Sequence, residues 1–151
     1  MSTIAEKIDA KDLSKKFPRS PREKVAGYVV AGRTLDKCRA AIAGTLGEYH
    51  YDCPLDRLFF DFTGIDSVKF QEFVATGADD AEVAAWIEQN SKQTEKREII
   101  QWNNDLRFKR INEMPIELQE FLEGYIDEFI APKGKTVYYW FDVYDIEEER
   151  I

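Results

Sequence analysis

Four charged residues fall within the seven-residue stretch Arg33-Thr34-Leu35-Asp36-Lys37-Cys38-Arg39, inside a segment that otherwise reads as apolar helix. Such a set can do two kinds of chemistry. As an enzyme site, Asp36 would serve as general acid or base while Lys37 and Arg39 clamp a carboxylate or phosphate of the substrate. As a binding site, the same cations with Arg33 would hold a small anionic or polar ligand. The enzyme reading meets a conflict, because a guanidinium three residues away favours the ionised carboxylate and works against proton uptake near neutral pH.

A second group surrounds the single histidine. In Glu48-Tyr49-His50-Tyr51-Asp52-Cys53, alternate side chains could face one metal ion, or His50 could activate the Cys53 thiol. Neither spacing is diagnostic, and a loop histidine beside carboxylates is usually solvated or hydrogen-bonded. The chain has no phosphate-cradling Gly-rich loop ending in Lys-Ser/Thr, no dinucleotide fingerprint, no G-x-S-x-G and no H-E-x-x-H. With one histidine, Ser-His-Asp and multi-histidine zinc sites are largely ruled out. No cofactor and no metal are implied, and no residue is assigned as catalytic.

The element that must position the four charges begins at Ser20-Pro21-Arg22-Glu23. Serine as N-cap, proline at the first helical position and glutamate completing a capping box predict a helix start there. The helix is expected to run to about Ala43, with Gly44 as its left-handed cap. On that helix Val25, Tyr28, Val29, Leu35, Ile42 and Ala43 define one apolar face. Asp36 and Arg39 fall in its middle, whereas Arg33 and Lys37 fall at its border. Burying the central two uncompensated would cost several kcal/mol, and their i, i+3 spacing lets them meet each other.

Shorter helices follow, each with its own punctuation. One starts at Pro54 and stops at Gly64, one spans Asp66 to Gly77, and one opens at Asp79 and Asp80. A fourth starts at Thr94 and groups Ile99, Trp102 and Leu106, with Asn103 and Arg110 on the same stripe. A fifth starts at Pro115, its apolar face formed by Leu118, Phe121, Leu122, Tyr125, Ile126 and Phe129. The aromatic tail from Val137 is good strand material, but nothing offers it a partner strand, so it is expected to be a short helix or extended. An assembly of Asp36, Arg39, Asn103 and Asp142, walled by Trp102 and Trp140, would make a polar pocket in an aromatic surround. The other reading is a satisfied buried network that fixes how the helices register.

Bulk properties set the frame for these elements. A chain of 151 residues, 44% apolar and 33% charged, is one folded domain's worth with a core of its own. The fold class expected is mostly α: a basic, flexible arm over residues 1–19, then one helical domain of about six helices over 20–151. Residues 1–40 hold ten Lys or Arg against five acids, while the whole chain carries a net charge of −8. That asymmetry suits either self-pairing or an anion site on the basic quarter, and it disfavours duplex nucleic acid. No apolar run is long enough to span a bilayer, and no apolar signal segment opens the chain. Two cysteines make no disulfide framework, so the cytoplasm is the expected compartment.

The stretches RSPREKVAGYVVAGRTLDKCRAAIAGTLGEYHYDCPLD, FTGID, EIIQWN and WFDVYD, in that order, resemble a family of uncharacterised bacterial proteins defined as a domain of unknown function. The resemblance runs from about Arg19 to the tail. It implies a small, stand-alone, cytoplasmic protein and brings no activity, cofactor or catalytic residue. Three roles follow from the residues themselves. The first is a non-catalytic binding protein for a small anionic or polar ligand or for a protein partner. The second is the Asp36 enzyme, and the third is a purely structural or self-assembling role.

Overall fold

The computed structural model describes residues 8–93 and 95–151. Seven α-helices are present among them: α1 (Ala31–Ala43), α2 (Pro54–Thr63), α3 (Ser67–Val74), α4 (Asp80–Asn90), α5 (Lys96–Arg107), α6 (Ile116–Tyr125) and α7 (Trp140–Glu147). Single turns of tighter or wider helix join the later ones, at Ile111–Glu113, Ile126–Ile130 and Ala131–Lys133. Among the described residues there is no β-strand, only an isolated antiparallel bridge between Val25 and Tyr28. The protein is mostly α. The expected start of α5 at Thr94 lies outside the described residues, as do residues 1–7 of the expected arm.

The chain divides into two compact units, Met1–Ile99 and Ile100–Ile151. In the first, the core is a chain of aromatic rings meeting edge to face. Tyr28 meets Phe59 at 5.6 Å, Phe59 meets Phe60 at 5.4 Å, Phe60 meets Phe70 at 5.5 Å and Phe70 meets Trp86 at 5.9 Å. Such contacts favour the ring quadrupoles as well as burying apolar area. Local signals in the sequence set the helix ends around this core. Gly64 closes α2 at φ 75°, Asp66 accepts from the first amides of α3, and Asp79 with Glu82 forms a reciprocal capping box at α4.

The long first helix expected from Ser20 does not form. Ser20 does cap a turn, accepting from Arg22 N at 3.1 Å while Glu23 reaches back to Ser20 N at 3.0 Å. The chain then reverses at Ala26 and Gly27, both in the left-handed region at φ 57° and 86°, and Val25 and Tyr28 exchange two backbone hydrogen bonds across the reversal. Two consecutive left-handed residues give the tight turn that suits antiparallel pairing, and they cannot continue a helix. Val30 also has a positive φ, 73°, and helix begins only after it. The capping box was real; its continuation into a helix was not.

Residues 8–19, expected as a loose arm, lie along this first unit. Ile8 and Leu13 are buried, and Leu13 N donates to Thr45 O at 2.8 Å. Gly47 makes this close approach workable. It sits at φ 59°, and a Cβ there would stand 2.9 Å from the Leu13 carbonyl oxygen.

Candidate functional site

The charges of α1 are held in two clusters. In the first, Asp36 is 5% exposed and takes four donors. Arg19 supplies its backbone N at 2.8 Å, Nη2 at 3.0 Å and Nε at 3.2 Å, and Lys11 Nζ supplies the fourth at 3.2 Å. The Arg19 guanidinium also bonds Asp80 through Nη1 at 2.8 Å, and Asp80 bonds Arg39 Nη1 at 2.8 Å. Arg39 spends Nη2 on the Ala78 carbonyl at 3.1 Å. Cation and carboxylate therefore alternate from Lys11 through Asp36, Arg19 and Asp80 to Arg39. Burial on its own would lower the Arg19 pKa, but Asp36 and Asp80 outweigh it and raise that pKa. Burial likewise acts to raise the Asp80 carboxyl, and Arg19 with Arg39 outweighs it and holds it below the usual range. The direct Asp36–Arg39 pair expected from i, i+3 spacing is replaced by this longer chain.

The second cluster corrects the placing of Arg33 and Lys37 at a helix border. Both are buried, at 4% and 3% exposure. The wheel drawn from Ser20 gave the wrong neighbours, because α1 begins after a reversal and packs on nearly its whole circumference. Lys37 Nζ lies 2.9 Å from Oδ2 of Asp56, which is fully buried. Asp56 also accepts from Thr34 Oγ1 at 2.6 Å, Asp52 N at 2.9 Å and Cys53 N at 3.3 Å. Lys37 Nζ donates further to Cys53 Sγ at 3.0 Å, and the same thiol caps α2 by accepting from its first turn. The Arg33 guanidinium donates to the Arg19 carbonyl at 3.2 Å and lies over the Tyr49 ring at 5.5 Å. Every lining charge of this helix is thus met from within the chain.

The two thiols differ in environment. Cys38 is fully buried; burial, with Asp56 adding to it, pushes its thiol up to about 12 against a hydrogen bond with Tyr51 and the pull of Arg39. Burial, then Cys38 itself, pushes the Tyr51 phenol up in turn. Cys53 is half-buried. Alkylation of the folded protein at pH 8 is therefore expected to modify Cys53 and spare Cys38, with the second thiol reacting only in denaturant. Mass spectrometry of the peptides reads this directly, and equal labelling of both would contradict the buried Cys38. His50 is exposed, and among the described residues no three His, Cys, Asp or Glu side chains are grouped to hold a metal.

The remaining expected site residues belong to the second unit. Asn103, Trp140 and Asp142 are buried, and Trp102 is half-buried. Asp142 has a structural task, accepting from the backbone N of Tyr138 and Tyr139 at 2.9 Å each and so capping α7. Trp140 packs on Phe141 at 5.3 Å and Tyr144 at 6.1 Å. The eight residues singled out by spacing thus fall into a group on α1 and a group in the second unit, and the charged side chains of the first group bond residues elsewhere in the first unit.

A different surface stands out in the second unit. The apolar face read from the sequence runs along α6 and into the Ile126–Ile130 turn. Leu122 is buried, yet Phe121 is 64% exposed and Phe129 46% exposed. Tyr125 lies between them, its ring 6.2 Å from Phe121 and 4.8 Å from Phe129. Ile116 adds a further exposed apolar side chain one turn before. Residues 111–132 around this aromatic ladder contain six Asp or Glu and no Lys or Arg. Lone exposed apolar residues are ordinary; neighbouring exposed aromatic rings on a segment whose charged residues are acidic are a candidate interaction surface. Periodicity identified the stripe but carries no information on whether anything in the chain covers it.

Residues 15–150 match the family described as Domain of unknown function (DUF5069), and the chain belongs to it. Comparison with curated proteins yields no match. Among the described residues no helix is long and apolar enough to cross a membrane.

Proposed function

We propose that this member of the DUF5069 family is a non-catalytic binding protein. In our reading, the aromatic face of α6 receives a basic, amphipathic helix of a partner protein. The observation that carries the proposal is the exposed pair Phe121 and Phe129, stacked on either side of half-buried Tyr125, on a segment whose charged residues are all acidic. Aromatic anchors supply most of the energy at such contacts, and Glu or Asp around them selects a cationic partner and speeds encounter. A second copy of the chain is disfavoured as occupant, because it would set six carboxylates against six. The acidic net charge of −8 likewise speaks against a nucleic-acid partner. Two free cysteines suit the cytoplasm as compartment.

The enzyme reading finds no support, since both oxygens of Asp36 are occupied by Arg19 and Lys11. Nor do Lys37 and Arg39 offer a free anion clamp, as each already holds a carboxylate.

A 21-residue synthetic helix of leucine and lysine heptads serves as probe. Binding is expected in the micromolar range, weakened at least tenfold by Phe121→Ala with Phe129→Ala. Both side chains are exposed, so thermal stability should stay within about 0.5 kcal/mol per site. A peptide that binds equally well to the double variant would leave only charge attraction and overturn the proposal.

A further inference from the structure

We infer that the groove between the Ile111–Glu113 turn and the Lys135–Tyr138 segment is a binding site for a small aromatic carboxylate. The groove has a volume of about 460 Å³, within the range of ligand sites, and lies wholly in the second unit. Its distinguishing property is its cations. Residues 100–151 hold six Lys or Arg against twelve acids. Lys109 pairs with Asp105, Arg150 with Asp145 and Glu148, and Lys133 with the last carbonyls of α7. Arg107 bonds Asn104 and lies over the Phe108 ring. The side chains of Arg110 and Lys135 make no such bond among the described residues, and both line this one groove.

Arg110 and Lys135 are exposed cations on the lining of one groove within an otherwise acidic unit. A carboxylate entering the groove can take charge-assisted hydrogen bonds from these two side chains. Ile111, Ile126 and Val137 give the groove apolar walls, and Tyr138, 70% exposed, presents a ring face. An aromatic body matches that surface, while Glu123 on the same lining and the surrounding acids favour a monoanion over a phosphate dianion. Glu123 and Ile126 of the groove come from the same turns as the ladder, but the test reads Arg110, Lys135 and Tyr138 and not Phe121 or Phe129, so either assignment can fail without the other.

Phenylacetate is the probe, titrated to 10 mM into the full-length, isotopically labelled protein while amide resonances are followed. Saturable shifts are expected at Arg110, Lys135 and Tyr138. Arg110→Ala and Lys135→Ala should each weaken binding about tenfold, and phenylacetamide, uncharged but isosteric, should bind at least tenfold more weakly than phenylacetate. Both substitutions are at exposed side chains, and an unchanged spectrum elsewhere certifies the fold. No saturable shift, shifts confined to other regions, or equal binding of phenylacetamide each overturns the inference.

Discussion

Asp56→Ala is expected to cost the protein about 3–5 kcal/mol of stability, the largest loss of any single polar substitution in the chain. The change strands Lys37, 3% exposed, with its ammonium 2.9 Å from the vanished carboxylate. It also removes the acceptor of the Thr34 hydroxyl and of two backbone amides at the start of α2. Each unsatisfied buried donor adds about 1–3 kcal/mol before the structure relaxes. The sign reverses if both charges leave together: Lys37→Met with Asp56→Leu should recover most of the loss, since an apolar pair of similar volume avoids desolvation altogether. Urea unfolding of the two variants measures the difference. A loss below about 1 kcal/mol for Asp56→Ala would mean that water reaches Lys37.

Asp36→Ala should follow at about 3 kcal/mol, read as a fall in Tm of about 6–12 °C for a chain this size. The effect sits at the lower end because Arg19 keeps Asp80 and Lys11 has a side chain 40% exposed. The isosteric Asp36→Asn keeps an acceptor for the Arg19 amide and should lose less. This comparison also separates the two roles first suggested by the sequence. A general acid or base can be removed with the fold intact, whereas a carboxylate that ties residues 11–19 to α1 cannot. A stable, fully folded Asp36→Ala protein would reopen the question of chemistry at that residue.

Legibility from sequence tracked the range over which each decision is made. Helix ends were readable because Gly64, Asp66, Asp79 and Glu82 act on amides and carbonyls within a few residues of themselves. The anomaly of Asp36 was readable too, since a buried charge on an apolar helix needs a partner wherever that partner lies. The partners were not readable: Arg19 and Lys11 come from 17 and 25 residues before, and no local pattern ties them to it. Lys37 and Arg33 were misplaced for a related reason, a helix phase counted from Ser20 across a reversal that Ala26 concealed. Asp56 carried a signal that passed unused, an acidic residue at the third position of a helix opened by Cys-Pro. On α6 the period of the stripe was correct, and its exposure followed from packing that period alone does not encode.

Val30 bears on the engineering of this protein. A β-branched residue at φ 73° carries a backbone penalty of about 1–3 kcal/mol, and here it is fully buried. Its amide donates to the Pro21 carbonyl at 2.7 Å, and its carbonyl accepts the first bond of α1 from Thr34. Glycine would relieve the dihedral and leave a hole where the isopropyl group stood, so the two terms oppose each other at one atom-sized site. A thermostabilising redesign therefore gains nothing from the usual exchange of a positive-φ residue for glycine here. It must instead fill the Val30 cavity from a neighbouring side chain while freeing the backbone, which makes this position a demanding trial for any two-site repacking scheme.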